Sequence, residues 1–496
     1  IFVYSSPSDK VWVSGDERPV RQFPRIIKAN IDWLPDLVRG RLAGLEIICA
    51  ICMSDVNALL MWLPRSNRND VELARSGSRW LNEDDEMDRM NEAEPARPRT
   101  KKYLVRREAI IQAATGLLNR KGLRGMTLAD VADCFDLAPT AVAYHFRTKE
   151  SLAVECYLRS IESYREFVAE AAREPSPRAA LTSLLRGYFA LLRAAESGEI
   201  PDIARFDDVR ALNDPIVAEA YVELYRAIRG LLPSPGPSLD DRATLNARSH
   251  FLVNQLMAVR FWIGVYAPED YERVCEQVLA TLLDGLDASV RPWAPTRMLV
   301  PELAGSTPPD MREMFLRVAT ALINIEGYRG ASVEKICAAL EVTRGAFYHH
   351  IDAKDDLVEL CLRRSLGVEE RAQRQALAMP GDGRERLVGV VMRLVDNQMV
   401  GEAPLIRNGS AQVPDAIRPI IENEYLRNCL RYGGMVGEGI ADGSLRAVDN
   451  YIGARMVDAT VRGASELAQW LRPPIAPHAW EDMARPLFTG LAPKSA

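Results

Sequence analysis

RGAFYHHIDAKDDL occupies residues 344–357, and PTAVAYHFRTKESL occupies residues 139–152. In each, a His precedes an apolar residue, with a Lys three positions beyond that and a Leu three further on. The two stretches lie 205 positions apart. Sliding the chain against itself extends the match without a gap, pairing 107–159 with 312–364. About fifteen of roughly fifty positions are identical, including Asn119/Asn324, Gly122/Gly327, His145/His350 and Lys149/Lys354. One long period seen twice indicates a duplicated domain rather than a solenoid.

The repeated unit reads as three helices. In the first copy Ile110, Ile111, Ala114, Leu117 and Leu118 recur at helical spacing. Thr127 is an N-cap with Asp130 three residues on, opening "LADVADCF". "DLA" makes a turn, and Pro139 starts the next helix, where its missing N–H costs nothing. In the second copy a first helix over 311–326 stops at "EGYRG". Ser332 caps "VEKICAAL", with Lys335 in place of a capping-box acid, and Thr343 caps "RGAFYHH" after the turn "EVT". Two short helices joined by a three-residue turn form a helix-turn-helix, whose second helix suits the DNA major groove. Arg344 is the strongest candidate reader, because a guanidinium pairs with guanine O6 and N7. Lys149 and Lys354 at the start of the following helix, with the Thr127 and Ser332 hydroxyls, suit phosphates.

"GYRGASVEKICAALEVTRGAFYHHIDAKDDL" and "GLRGMTLADVADCFDLAPTAVAYHFRTKESL" together resemble the TetR family of bacterial transcriptional regulators. The resemblance implies an all-α protein of two units, each a helix-turn-helix head on a helical ligand-binding and dimerisation body. It makes Ser332, Tyr348 and Lys354 phosphate contacts, and Thr343 and Arg344 base readers. The first copy departs from the pattern, with Ala143 at the position of Tyr348 and Pro139 at that of Arg344. Its candidates are then Thr140 and Tyr144. His145 and His350 read as packing or phosphate groups rather than metal ligands, and His145 and His349 complete the DNA-binding set. "FLVNQLMAVRFWIGVYAPEDYERVCEQVLATLLDGL", residues 251–286, looks like the family's dimer-forming last two helices. An apolar pocket in each body is also implied, with Met257, Phe261, Trp262 and Tyr266 in the first and Met392, Met399 and Met435 in the second. Plain core packing is the alternative for each.

Charge separates the heads. Residues 97–159 carry about twice as many Lys and Arg as Asp and Glu, while 311–364 are balanced. The segment "RPRTKKYLVRR", with Lys101 and Lys102, reads as a basic arm for the phosphate backbone or minor groove. A solvated tail is the alternative. The chain's net charge of −6 does not exclude this, since DNA binding needs a local basic patch.

The domain plan is an extension over 1–96, a head over 97–152, a body over 153–290, a Pro-rich linker over 291–310, a second head over 311–357 and a second body over 358–490. The linker can extend to roughly 65 Å. Met87 or Met90 is the expected biological start, making 1–86 upstream sequence; a native extension is the competing reading. The eight Cys include one close pair, Cys49 and Cys52, with no second pair at zinc spacing. They suit a reducing cytosol, with no metal, cofactor or disulfide expected. The most apolar run, 42–63, contains Glu46 and Asp55, which are costly within a bilayer. No catalytic motif emerges, and no enzyme is expected. The expected function is a cytoplasmic, nucleoid-associated repressor released by a small apolar ligand. Its heads would form a covalent pseudo-dimer on an asymmetric double-stranded operator, or the whole chain a homodimer. A constitutive DNA-binding protein and a helical enzyme are the alternatives.

Overall fold

The computed structural model describes residues 3–5, 11–13 and 100–492, except 207–208, 235, 237, 290, 294–309, 401–404, 406–417 and 471–478. The chain divides into units 1–99 and 100–496. In the first unit, β1 (Val3–Ser5) and β2 (Val11–Val13) pair antiparallel, with Tyr4 opposite Trp12. The rest of that extension, most of the linker and the loop over 407–415 lie outside the described residues.

The second unit is helical. The first head contains α1 (Lys101–Gly125), α2 (Leu128–Asp133) and α3 (Pro139–Ala143). Its body contains α4 (Lys149–Ala171), α5 (Pro177–Glu196), α6 (Pro215–Gly230), α7 (Leu239–Val259) and α8 (Tyr271–Asp284). The second head contains α9 (Met311–Gly330), α10 (Val333–Ala339) and α11 (Arg344–His350). Its body contains α12 (Lys354–Leu377), α13 (Gly383–Val400), α14 (Arg418–Ala441), α15 (Asn450–Trp470) and α16 (Ala479–Thr489). One sequence boundary is corrected. The helix expected to stop at 326 continues through "EGYRG" to Gly330, so those glycines are tolerated inside it.

The repeat reappears as repeated bonds between each head and its body. Cys156 Sγ donates to Ile111 O, and Cys361 Sγ to Leu316 O. Glu108 pairs with Arg159, and Glu313 with Arg364. The Asn119 carboxamide donates to Ile203 O at 2.9 Å, and that of Asn324 to Leu405 O at 2.8 Å. Each bond fastens the head's first helix to its body.

The two bodies pack on each other through α7, α8, α15 and α16. Past the last helices, the chain segments exchange backbone hydrogen bonds. Leu286 N donates to Leu487 O at 2.9 Å, and Leu491 N to Leu282 O at 2.8 Å. Asp287 N donates to Phe488 O at 3.0 Å, and Ala492 N to Leu283 O at 3.2 Å. Adding 205 to one member of each pair, and subtracting it from the other, generates the second bond from the first. Such reciprocity is the signature of a two-fold, isologous interface, formed here within one chain.

At the α7–α15 crossing, Gln255 Nε2 donates to Thr460 Oγ1 at 2.9 Å. These two residues are equivalent under the 205-residue repeat but differ chemically. His250 Nε2 meets Gly463 O at 2.8 Å on the same face. Both junction faces are buried, with Phe251, Leu252 and Val278 meeting a core that includes Val457, Leu487 and Phe488. The second head has its own core, built around Phe315, Ile336, Phe347 and Leu357.

Candidate nucleic-acid interface

Each helix-turn-helix is shaped by its caps and one strained turn. Thr127 forms a full capping box: its hydroxyl accepts from Asp130 N at 3.1 Å, and its own N–H donates to Asp130 Oδ2 at 2.9 Å. Ser332 accepts from Lys335 N at 3.3 Å, and Thr343 accepts from Ala346 N at 3.3 Å. Three hydroxyls singled out for DNA therefore also hold helix starts. The turns are equivalent: Asp136 has φ 52° and Glu341 has φ 56°, the left-handed region that non-glycine residues rarely adopt. Both hold the second helix at its angle to the first.

The second head presents the longer second helix, 7 residues against 5 in the first head. Tyr348 is half exposed, His349 is exposed, and Phe347 beneath them is fully buried. Arg344 lies on the same surface, its side chain 64% exposed, with its NH2 2.8 Å from Glu334 Oε1. An exposed pair of this kind is worth under about 1 kcal/mol, so it holds the guanidinium only weakly. Lys354 opens α12 as expected, but its side chain lies outside the described residues.

The first head is built differently. Its α3 is only 5 residues long, and Ala138 supplies no side-chain cap. Thr140 is exposed and Tyr144 is 77% exposed, while Val142 and Phe146 face the core. Tyr144, the C-cap residue of α3, is thus a surface group rather than a core residue. It packs edge-on against His145, with ring centroids 5.3 Å apart, and Tyr103 lies 4.5 Å from His145. Burial, reinforced by Arg106 and Arg107, holds the His145 imidazole below its usual pKa, favouring the neutral form. Lys149 Nζ donates to Leu123 O at 3.0 Å, joining the start of α4 to the end of α1.

Within the basic segment, Thr100 caps α1, and Lys101 through Arg107 are helical. Lys101, Lys102, Val105, Arg106 and Ala109 line a surface groove of about 480 Å³. Helical periodicity in "KKYLVRREAII" is the signal that could have revealed this.

The residues proposed for ligand pockets scatter. Met392 is buried, while Met257 and Met399 are partly buried against the core. Phe261 lies under Arg205, its ring centroid 5.1 Å from the guanidinium carbon. Trp262 is buried and meets Tyr451 of the second body at 6.2 Å, so it belongs to the junction between bodies. Met435 is buried, and Tyr266 packs near the same Tyr451 at 6.2 Å. None of these residues lines the groove beside Lys101 or the larger cavity between the bodies. Among the described residues no cluster could hold a metal ion, and no helix is long and apolar enough to cross a membrane.

Comparison with known proteins converges on the two heads. The family model described as bacterial regulatory proteins, tetR family, matches residues 110–156 and again 315–361. No curated protein matches the chain. Among solved structures, AibR in complex with isovaleryl coenzyme A and operator DNA is 20% identical, covering 37% of this chain and 98% of its own with a TM-score of 0.32. The ketosteroid transcriptional regulator KstR2 of Mycobacterium tuberculosis is 22% identical over 38% of this chain and 95% of its own, with a TM-score of 0.29. PfmR, a TetR family transcriptional regulator from Thermus thermophilus, is 22% identical over 36% and 98%, also with a TM-score of 0.29. Both helix-turn-helix heads thus match the TetR-family DNA-binding domain, and both are followed by helical bodies, so the chain carries two TetR-type units in tandem.

Proposed function

We propose that this chain is a ligand-responsive repressor whose two unlike heads, held by one internal junction, bind a single asymmetric operator. The observation that carries this reading is the reciprocal backbone bonding of Leu286 and Asp287 with Leu487 and Phe488, mirrored by Leu491 and Ala492 with Leu282 and Leu283. In dimeric helix-turn-helix regulators, two recognition helices contact half-sites about 34–36 Å apart. Here one chain supplies both, and the covalent link raises the second head's effective concentration toward the mM range. Arg344 and Tyr348 in one head, against Pro139 and Ala143 in the other, favour unlike half-sites.

A route from body to head supports the switching part. Asn119 on α1 holds Ile203 O, and Arg260, which caps the end of α7, holds the same carbonyl at 2.7 Å. A small molecule that shifts this loop would move α1, and would act by binding one arrangement more tightly than the other. The protein acts in the cytoplasm on DNA and catalyses no reaction in this reading.

Footprinting of genomic fragments with the intact chain, followed by a thermal-shift screen of apolar metabolites, tests it. We expect one protected, non-palindromic site, released by a compound that raises the melting temperature. A symmetric footprint would defeat the asymmetric reading. Protection insensitive to every stabilising compound would defeat the effector and leave a constitutive DNA-binding protein.

A further inference from the structure

A cavity of about 500 Å³ opens on one side of the junction between the bodies. The first body supplies Arg178 at the start of α5, Arg248 on α7, and the apolar edges of Pro177 and Pro233. The second supplies Arg485 on α16 and Leu491. The repeat allows a direct comparison with the other side of the junction. The positions equivalent to Arg178, Arg248 and Arg485 are Gly383, Gly453 and Ala280. Near that opposite end, Arg384 and Asp287 form a buried pair, with Nε and Oδ1 2.7 Å apart. The three arginines are therefore gathered on one side only, so the two-fold packing itself does not require them.

Among the described residues, their charge is only partly answered. Arg178 is bidentate to Asp284, at 2.6 and 2.8 Å. Arg248 is half-buried. Burial lowers its pKa, Asp482 opposes that, and the neighbouring Arg485 adds to it. Among the described residues neither Arg248 nor Arg485 has a carboxylate within ion-pair distance. Two like charges crowded into a partly apolar cleft favour an anion between them. Guanidinium is suited to binding an oxyanion by paired hydrogen bonds.

We infer that this cavity is a binding site for a small molecule with an oxyanion head, phosphate or carboxylate, whose occupant bridges the two bodies. The site stands independently of the proposed effector response. Isothermal titration of the full chain at constant ionic strength tests it, with sodium pyrophosphate in one arm and sodium butyrate in the other. Saturable binding at one site per chain in either arm is expected, and the tighter arm identifies the head group. Arg248→Ala and the exposed Arg485→Ala should each weaken it at least tenfold, while Arg226→Ala, at an exposed position on α6, leaves it unchanged. Circular dichroism melts of each variant report whether it remains folded. Absence of saturable binding in both arms, or equal affinity in folded Arg485→Ala, would overturn the inference.

Discussion

Gly285 and Gly490 each close a last helix with φ near +76° and +79°, and each lies against the end of the other's helix. A Cβ at Gly285 would fall 1.9 Å from Phe488 O, and one at Gly490 would fall 2.1 Å from Leu283 O. The two positions are 205 apart, so the repeat extends from the heads to the end of the second body. Glycine is needed here both for its backbone conformation and for close passage of the partner segment. Gly285→Ala or Gly490→Ala should therefore cost about 3 kcal/mol, combining a left-handed backbone with overpacking. Urea unfolding measures this, and a midpoint equal to wild type would contradict the close approach.

The heads should differ in kind when mutated. Arg344→Ala should cost about 1–3 kcal/mol and relax base preference in one half-site. Lys101→Ala or Lys102→Ala should weaken all sequences alike and reduce the slope of log affinity against log salt by about 1 for each lysine. Binding isotherms across salt concentrations, on the operator and on a scrambled duplex, separate the two effects. An unchanged preference in Arg344→Ala would remove it as a reader.

Glu341 holds φ 56° in the turn of the second head. Glycine at this position avoids a penalty of about 1–2 kcal/mol but adds unfolded-state entropy, for a net gain of about 0.5–1 kcal/mol. Glu341→Gly should raise the thermal stability of the protein, and Glu341→Val should lower it. Differential scanning calorimetry checks both signs.

A buried charge cluster gives the second body a pH dependence. Glu369 is fully buried on α12, and Arg462 NH2 lies 2.8 Å away while its Nε bonds Asp458 Oδ1 at 2.9 Å. One guanidinium thus serves two carboxylates. Burial pushes Glu369 up to about 7, with Arg462 opposing and Asp458 reinforcing. The folded state therefore holds this proton more tightly than the unfolded chain does. The resulting stability is complete below the ordinary value of 4.5 and is lost as pH rises toward about 7. Glu369→Gln should flatten the decline in urea midpoint between pH 5 and pH 7.5. An equally steep decline in the variant would assign it to other groups.

The sequence reveals the heads because their information is local. Thr127, Thr343 and Pro139 mark helix starts, and the spacing from His350 to Leu357 repeats that from His145 to Leu152. The all-helical class and the tandem units follow from the same signals. The junction was legible only in outline, through the resemblance of 251–286 to the family's last two helices. Its reciprocal bonds run through backbone atoms, which leave little trace beyond Gly285 and Gly490. Trp262 shows why pocket residues were harder to place. A buried aromatic has the same helical spacing whether it faces a ligand, a core or a second body. Arg178, Arg248 and Arg485 are far apart in sequence, and the fold alone brings them together.

Light scattering of the size-separated protein–operator complex tests the central claim most directly. A single-chain pseudo-dimer predicts one 55.3 kDa chain per duplex on a non-palindromic site. Two chains bound symmetrically to a palindrome, each using the same head, would contradict it.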